Sequence, residues 1–509
     1  MPALCYTFDM SARKIIVVGA GISGLTAAVY LQRSGFDVTL YEQHTIPGGL
    51  STSWKRKGFF FEGGMHWLTG SSEKILLNRV WHEVGALQEN NPIYNRDPVY
   101  TLIDGDNPLH LWRDINKLKA HWLAYAPEDK KAINRLCRDV KIMKAVHIPI
   151  MDVFGVKTTR RCNESLLNFI KMAPAGLRFG KLVNQSYEDY VNQFKNKNIR
   201  HMLMSLIGYR YNALSVIYTI AAFASGDCGF PQGGSIRMAQ NIADTFTALG
   251  GEIKYHTKVE RVSIENGKAN GVYVDGQLVS ADGVLVAFDS CTAVRTMFNP
   301  PLTDKWIEKL NKSVVTEQNM FFGLGVNADL SKYPPCLVLP LKETYEVAGS
   351  KFNELRINNY AGRPGYSPEG TSTVTCVAMA DCYHWWKAKQ EDGTYKAEKE
   401  KAMEGFIKLI EQYMPEIKGN VVLTDLATPC TYERYTASYE GSWMTVWGPG
   451  QGSFIFPSKS TTVEGLYFAS ERNQMPGGLP ICAWAGRKAA QTICRDNKMT
   501  FVCDDESKK

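Results

Sequence analysis

The run KIIVV at residues 14–18 is apolar at consecutive positions, the pattern of a strand buried on both faces of a sheet. GAGISG follows, and Ile22, Leu25, Ala28 and Leu31 then recur at helical spacing until Gly35 breaks the series. FDVTLYE returns to an apolar run that ends at Glu42. Strand, helix and strand in about thirty residues make one complete βαβ unit.

Two later blocks are organised in the same way. FPQGGS at 230–235 opens a helix, IRMAQNIADTFTAL, that stops on Gly250 and Gly251, as helix C-caps prefer. EIKYHTKVERVSI and GVYVDG alternate in the strand period with ENGK between them as a hairpin turn, and ADGVLVAF reads as a further buried strand. The last block, GLYFAS at 465–470, passes through a glycine-proline loop into the helix AWAGRKAAQTIC. Between these blocks, residues 81–225 read as helical and rich in Trp, Tyr, Met and Lys/Arg. Residues 301–460 mix strands and turns with one helix, KAEKEKAMEGFIKLIEQYM. The layout predicts an α/β nucleotide-binding domain assembled from residues 12–80, 226–300 and 460–498. A second, substrate-binding domain of residues 81–225 and 301–459 is inserted between those pieces.

The glycines supply the first chemistry. Gly19 permits a tight turn, Gly21 lets backbone approach a pyrophosphate, and Gly24 lets the helix pack on the strand. At Ile22 and Ser23 the helix N-terminus offers free N–H groups and a positive dipole end to phosphates. Glu42 ends the second strand, where a carboxylate can accept hydrogen bonds from ribose hydroxyls, and Gln43 follows it. Gly48, Gly49 and Leu50 add a second glycine pair at the same edge of the sheet. NAD needs no such extension, whereas FAD, a longer cofactor running inward, would use it. No second strand–GxGxxG–helix unit is present to hold a nicotinamide cofactor. FEGGMHWLTG at 61–70 carries another pair, Gly63 and Gly64, leading into Met65 and His66. Paired glycines suggest a close backbone approach, and a histidine there can handle protons.

These motifs resemble the large flavoprotein family that includes amine oxidases, phytoene desaturases, carotenoid isomerases and retinol saturases. The resemblance spans nearly the whole chain, including FPQGGS with its helix, VERV in the hairpin, and GLYFASERNQMPGGLPICAWAG. It implies a Rossmann-like FAD-binding domain of the glutathione-reductase type with an inserted α+β substrate domain. It further implies that Val259 gives backbone contacts to the adenosine half and that Glu471 approaches the ribityl chain or pyrophosphate. The loop Gly477 to Pro480, with Gly478, Leu479 and Pro480 nearest, would bring backbone against the flavin ring beside Ile481. Gly64 and Met65 would pass close to the same cofactor. The segment GFFFEGGMHWLTG after WKRK looks closest to the carotenoid-related branch, whose retinol saturases place a histidine after the matching glycine as His66 follows Gly64, whereas phytoene desaturases more often have a proline-containing pattern there. The MPGGLP loop is more similar to the desaturases and isomerases than to the saturases.

The activity implied is FAD-dependent oxidoreduction, saturation or desaturation, at a C–C double bond of a hydrophobic polyene or isoprenoid such as a carotenoid or retinoid. Redox-neutral cis-trans isomerisation on reduced FAD and amine oxidation are the alternatives within the family, and a flavin-binding scaffold is the non-enzymatic one. His66 would supply the proton of a double-bond reduction or merely orient its loop. The electron donor or acceptor is not identifiable from the sequence.

Composition narrows the partners. With 44% hydrophobic and 21% charged residues the 509-residue chain has ample core, and a net charge of +7 over that length is too mild for a nucleic-acid partner. Twelve cysteines show no CxxC pair and no zinc spacing, so reduced thiols and a cytoplasmic setting are expected. MPALCYTFDM lacks the basic and apolar regions of a signal peptide. Residues 154–183 carry Lys157, Arg160, Arg161, Lys171, Arg178 and Lys181 against the single acid Glu164, with Leu, Phe, Ile and Met interleaved. That is the pattern of a helix lying on an anionic membrane surface or of a solvated basic face.

Overall fold

The strand KIIVV forms the centre of a five-stranded parallel sheet because both of its faces are covered. The computed structural model describes residues 12–452, 454–474 and 476–505. The leader-free reading of MPALCYTFDM and Met475 of the glycine-proline loop lie outside the described residues. Across the sheet the strands run Leu466–Phe468, Gly283–Val286, Lys14–Val18, Asp37–Tyr41 and Glu252–Lys254. Every neighbouring pair is parallel. Ile15 and Val17 join the core under the helix Ile22–Arg33, while Ile16 and Val18 join the opposite core with Val259, Val262 and Val284. A strand with apolar residues at both parities is thus explained by two cores, each buried Ile or Val being worth about 1.5–3 kcal/mol.

The first helix packs on Gly234–Ala248 and Leu479–Asp496. The other face carries an antiparallel meander of Arg261–Glu265, Lys268–Val274 and Gln277–Ser280. Asn266 and Gly267, both at positive φ (50° and 74°), close its first hairpin as a primed two-residue turn requires. EIKYHTKVERVSI is not one strand, however. His256 at φ 54° breaks it, so Glu252–Lys254 edges the parallel sheet and only Arg261–Glu265 enters the meander.

A second, seven-stranded sheet lies beside the first. Its order is Val421–Ala427, Asn319–Val326, Ser372–Met379, Ser350–Asn359, Cys336–Val347, Tyr100–Leu102 and Leu109–Leu111. The helix Tyr395–Glu411 stacks Phe406 on Phe322 of this sheet at 4.5 Å. Helices Ile115–Tyr125, Lys130–Met143, Leu166–Asn184 and Ala213–Ala224 share a separate core with Tyr100 and Leu111. Residues 81–225 are therefore not wholly helical. YTL and LHL are too short to show a period; YTL becomes a strand by pairing with the distant strand Cys336–Val347, and LHL by pairing with YTL.

The basic segment is helical only from Leu166, where the Ser165 hydroxyl accepts from the Asn168 N–H at 3.2 Å. Residues 154–165 run outside any helix. Arg178 is turned inward in a two-point ion pair with the fully buried Asp139, both bonds at 2.7 Å. It therefore leaves the basic surface that the sequence suggested.

Candidate active site

A single cavity of about 930 Å³ runs from the GAGISG turn into a chamber between the two sheets. At the first end Gly19 has φ 106° and donates to the Tyr41 carbonyl at 2.8 Å. A Cβ on Gly24 would lie 2.0 Å from the Gly19 carbonyl oxygen, so Gly24 serves the helix–strand contact and does not line the cavity. A Cβ on Gly21 would meet nothing within 4 Å. Gly21 borders open space, and the helix that begins at Ile22 has no side-chain cap, which leaves its N–H groups facing that space. The Glu42 carboxylate is fixed beside it by the Ala20 N–H at 2.7 Å and the His44 N–H at 2.8 Å. Burial raises its pKa above the usual carboxylate range. Gly48 bridges to Gly21, so the second glycine pair, Gln43 and Leu50 reach the same wall.

The opposite wall comes from the last block. Glu471 accepts from the Thr445 N–H at 3.1 Å and pairs with Arg472 at 2.5 Å. Arg472 is completely buried and also grips Asp289 at 2.8 Å. Any Cβ on Gly477 would fall 1.8 Å from the Glu471 carboxylate, so the loop rests directly on this acid. Gly478 at φ 104° then turns into the uncapped first turn of the last helix, where Leu479 and Pro480 line the cavity. Val259 lines it from the meander side. Ile481 does not. Its side chain is 1% exposed and packs in the interior, and Cys482 takes the wall position.

The Gly63-Gly64 pair has a different cause from the one its sequence suggests. A Cβ on Gly63 would meet the Trp54 ring at 2.5 Å, and one on Gly64 would meet the Ser235 hydroxyl at 2.7 Å and the Thr52 nitrogen at 2.8 Å. The close approach is to this chain's own side chains and backbone. Glu62, which carries no local sequence signal, holds the loop. Its carboxylate accepts from the Gly64 and Met65 N–H groups, both at 2.9 Å, and from the Ser235 hydroxyl and N–H at 2.6 and 2.9 Å. It thereby ties the loop to the start of the helix Gly234–Ala248. Met65 and His66 are thus presented to the cavity by a fixed turn.

His66 is 9% exposed, and neither ring nitrogen has a hydrogen-bond partner. Trp443 meets the ring edge-on at 5.4 Å. Burial, followed by the positive charges of Arg356 and Arg96, drives its pKa well below the ordinary histidine value. The ring therefore favours its neutral form, which keeps a single N–H. Beyond it the chamber is walled by Ile148, Leu206, Ile207, Tyr218 and Met379, with Arg356, Tyr211 and Glu317 among them. None of these last three carries a sequence signal, since a lone charged or phenolic residue in an apolar stretch reads as ordinary.

A glycine-turn cradle on a parallel sheet, opening into an apolar chamber, defines a dinucleotide-dependent enzyme of the two-sheet kind. The family described as flavin containing amine oxidoreductase matches residues 22–494, and this chain belongs to it. The chain is 24% identical over 502 residues to the chloroplastic prolycopene isomerase of Daucus carota, covering 94% of this chain and 80% of that protein. It is 25% identical over 549 residues to the all-trans-retinol 13,14-reductase of Danio rerio, covering 94% and 84%. The solved cyclohexylamine oxidase of Brevibacterium oxydans superposes with a TM-score of 0.59 at 16% identity, over 96% of this chain and 100% of that one. That likeness shows the fold. The cofactor is FAD, and the open space at Gly21 with two uncapped helix N-termini facing one cavity fits it.

Proposed function

We propose that this protein reduces a C–C double bond of a hydrophobic polyene such as a carotenoid or retinoid, or forms one in it by desaturation. The observation that carries the reading is the continuity of one cavity from the nucleotide cradle to an apolar chamber. The relatives named for isomerising prolycopene and reducing all-trans-retinol support it. Residues 12–80, 226–300 and 460–498 form the FAD-binding unit, supported by the parallel sheet that draws its strands from all three. The rest, residues 81–225 and 301–459, supplies the chamber.

When bound, FAD supplies hydride transfer at carbon. The chain's own residues do the remainder. Gly19 and Gly21 with the Ile22 and Ser23 N–H groups hold the pyrophosphate, and Glu42 and Val259 fix the adenosine half. The Gly477–Pro480 loop on Glu471 would hold the flavin ring, and the N–H groups at the start of the last helix would favour negative charge there. Leu206, Ile207 and Met379 exclude water from the bond being changed. The test is anaerobic incubation of chemically reduced holoprotein with retinoids, carotenoids and unsaturated fatty acids, followed by mass spectrometry. A two-hydrogen mass gain with flavin reoxidation is expected for a polyene. An unchanged mass with shifted geometry would make the protein an isomerase, and failure of every polyene to react, with amines consumed when offered to the oxidised protein, would overturn the reading.

A membrane surface as the source of substrate is supported by one face of the molecule. Phe154 is 96% exposed, Leu166 76%, Leu167 69% and Ile170 60%, next to the exposed Lys157, Arg161 and Lys171. Exposed apolar side chains with cations interleaved along the chain suit the interface of an anionic bilayer. No helix among the described residues is long and apolar enough to cross a membrane. Co-sedimentation with anionic liposomes is expected at low salt and should weaken as screening shortens to about 10 Å at 0.1 M ionic strength. Lys157→Glu with Arg161→Glu, or Phe154→Ser alone, should release the protein. Absence of sedimentation at low salt would leave the segment as a solvated face.

A further inference from the structure

The chamber contains a carboxyl oxygen with nothing to bond. Glu317 ends the short strand Val315–Glu317, which pairs antiparallel with Met444–Val446 so that Glu317 lies opposite Met444. It lines the cavity, is 2% exposed, and its Oε2 has no hydrogen-bond partner. Bare backbone backs it: a Cβ on Gly208 would lie 2.3 Å from Oε2. The strand opposite also carries Thr445, whose N–H and hydroxyl hold Glu471 and whose carbonyl accepts from Gly477 at 3.0 Å. Glu317 is therefore one strand away from the loop that positions the flavin ring. Trp443 links it to His66, packing its ring on the imidazole while its N–H donates to the Glu317 carbonyl at 2.7 Å.

The charges around Glu317 do not satisfy it. Arg210 is ion-paired with Asp381 and donates to the Thr316 carbonyl at 3.0 Å. Tyr211 interacts with both Glu317 and Glu471, and its hydroxyl is also unpartnered. Glu471 is engaged by Arg472, and His66 is held neutral by burial and by Arg356 and Arg96. A buried carboxyl without a bound cation or donor favours its neutral form.

We propose that Glu317 is the acid of this cavity, whose carboxyl proton goes to the second carbon of the double bond being reduced. This rests on the polyene reading. The π bond is replaced by two C–H bonds, one made with a hydride equivalent from reduced FAD and one with the Glu317 proton. The two electrons originate in an external two-electron reductant. The Glu317 O–H bond breaks, and the carboxylate left behind regains a proton from water. Burial, with Asp381 adding to it and Arg210 opposing it, raises the Glu317 pKa to about 7, where a proton is both held and released near neutrality. Below that pH the group is loaded; above it the proton is gone.

The test compares wild type, Glu317→Gln and Glu317→Asp as FAD-loaded full-length proteins. Infrared difference spectra are taken over roughly two pH units on either side of neutrality. Wild type should show a protonated-carboxyl band that fades as pH rises through about 7. Glu317→Gln should lack that band and Glu317→Asp should retain one. After anaerobic reduction, flavin reoxidation by an accepted polyene should be at least about a hundredfold slower in Glu317→Gln and should decline on the alkaline side in wild type. An unchanged band fading through about 7 in Glu317→Gln, or reoxidation at the wild-type rate in that variant, would overturn the proposal. Should wild type reduce no polyene, the substrate reading fails, while the infrared band still decides whether Glu317 holds a proton.

Discussion

Replacing Gly21 by valine is expected to give a folded protein that is colourless. Apart from its own chain neighbours, no described atom lies within 4 Å of the position a Cβ would take there, and the residue has ordinary extended angles of φ −67° and ψ 170°. The protein itself therefore tolerates a side chain. The side chain would fill the space proposed above for the pyrophosphate, whose approach to backbone such a glycine permits. Wild type should release FAD, and not FMN, on denaturation. Gly21→Val should show wild-type secondary structure by circular dichroism and no bound flavin after reconstitution. Gly24→Val is the informative contrast, because its Cβ would collide with the Gly19 carbonyl at 2.0 Å and damage fold and cofactor binding together. A fully loaded Gly21→Val protein would remove the basis for the cradle.

Loss of the Glu62 carboxylate is expected to have the largest effect on stability. It accepts hydrogen bonds from two loop N–H groups, the Ser235 N–H and hydroxyl, and the Ser53 hydroxyl at 3.1 Å. Glu62→Ala strands these donors in a site that is 2% exposed. Each buried donor left without a partner costs about 1–3 kcal/mol, and partial rehydration limits the sum to about 3–5 kcal/mol. Thermal unfolding of Glu62→Ala should move down by many degrees, and His66 should lose its fixed presentation to the cavity. Glu62→Gln, which keeps one acceptor oxygen, should fall between. A Glu62→Ala protein that melts with wild type would show that the loop is held by its glycine contacts alone.

Both of these residues lie within the first block of sequence, yet only one could be selected from it. Gly21 belongs to a local pattern in which strand, turn, helix and second strand follow in order, and such patterns survive without tertiary knowledge. Glu62 acquires its role from Ser235, 173 residues away in the chain. The same distance effect conceals Arg472, whose partner Asp289 is 183 residues distant. Glu317 was invisible for a further reason. Its strand is three residues long and has no period, and what distinguishes the carboxyl is the absence of a partner, which only the completed packing can establish. His66 was legible as a cavity residue but not in its charge state, because Arg356 and Arg96 approach it from other segments. The basic segment was readable as a surface feature, though Arg178 is withdrawn from it by Asp139.

The order of strands in the parallel sheet has a consequence for the protein's birth on the ribosome. Its central strand, Lys14–Val18, emerges first, but the edge strand Leu466–Phe468 pairs with Gly283–Val286 only after nearly the whole chain has been made. Until then the buried residues Val284 and Val286 present an open strand edge, the kind of surface to which other nascent chains add. The far wall of the cavity, from Glu471 to Pro480, also emerges late. Flavin capture is thus placed after the synthesis of residues 471–480, and chains stalled before that point should accumulate on chaperones without ever turning yellow.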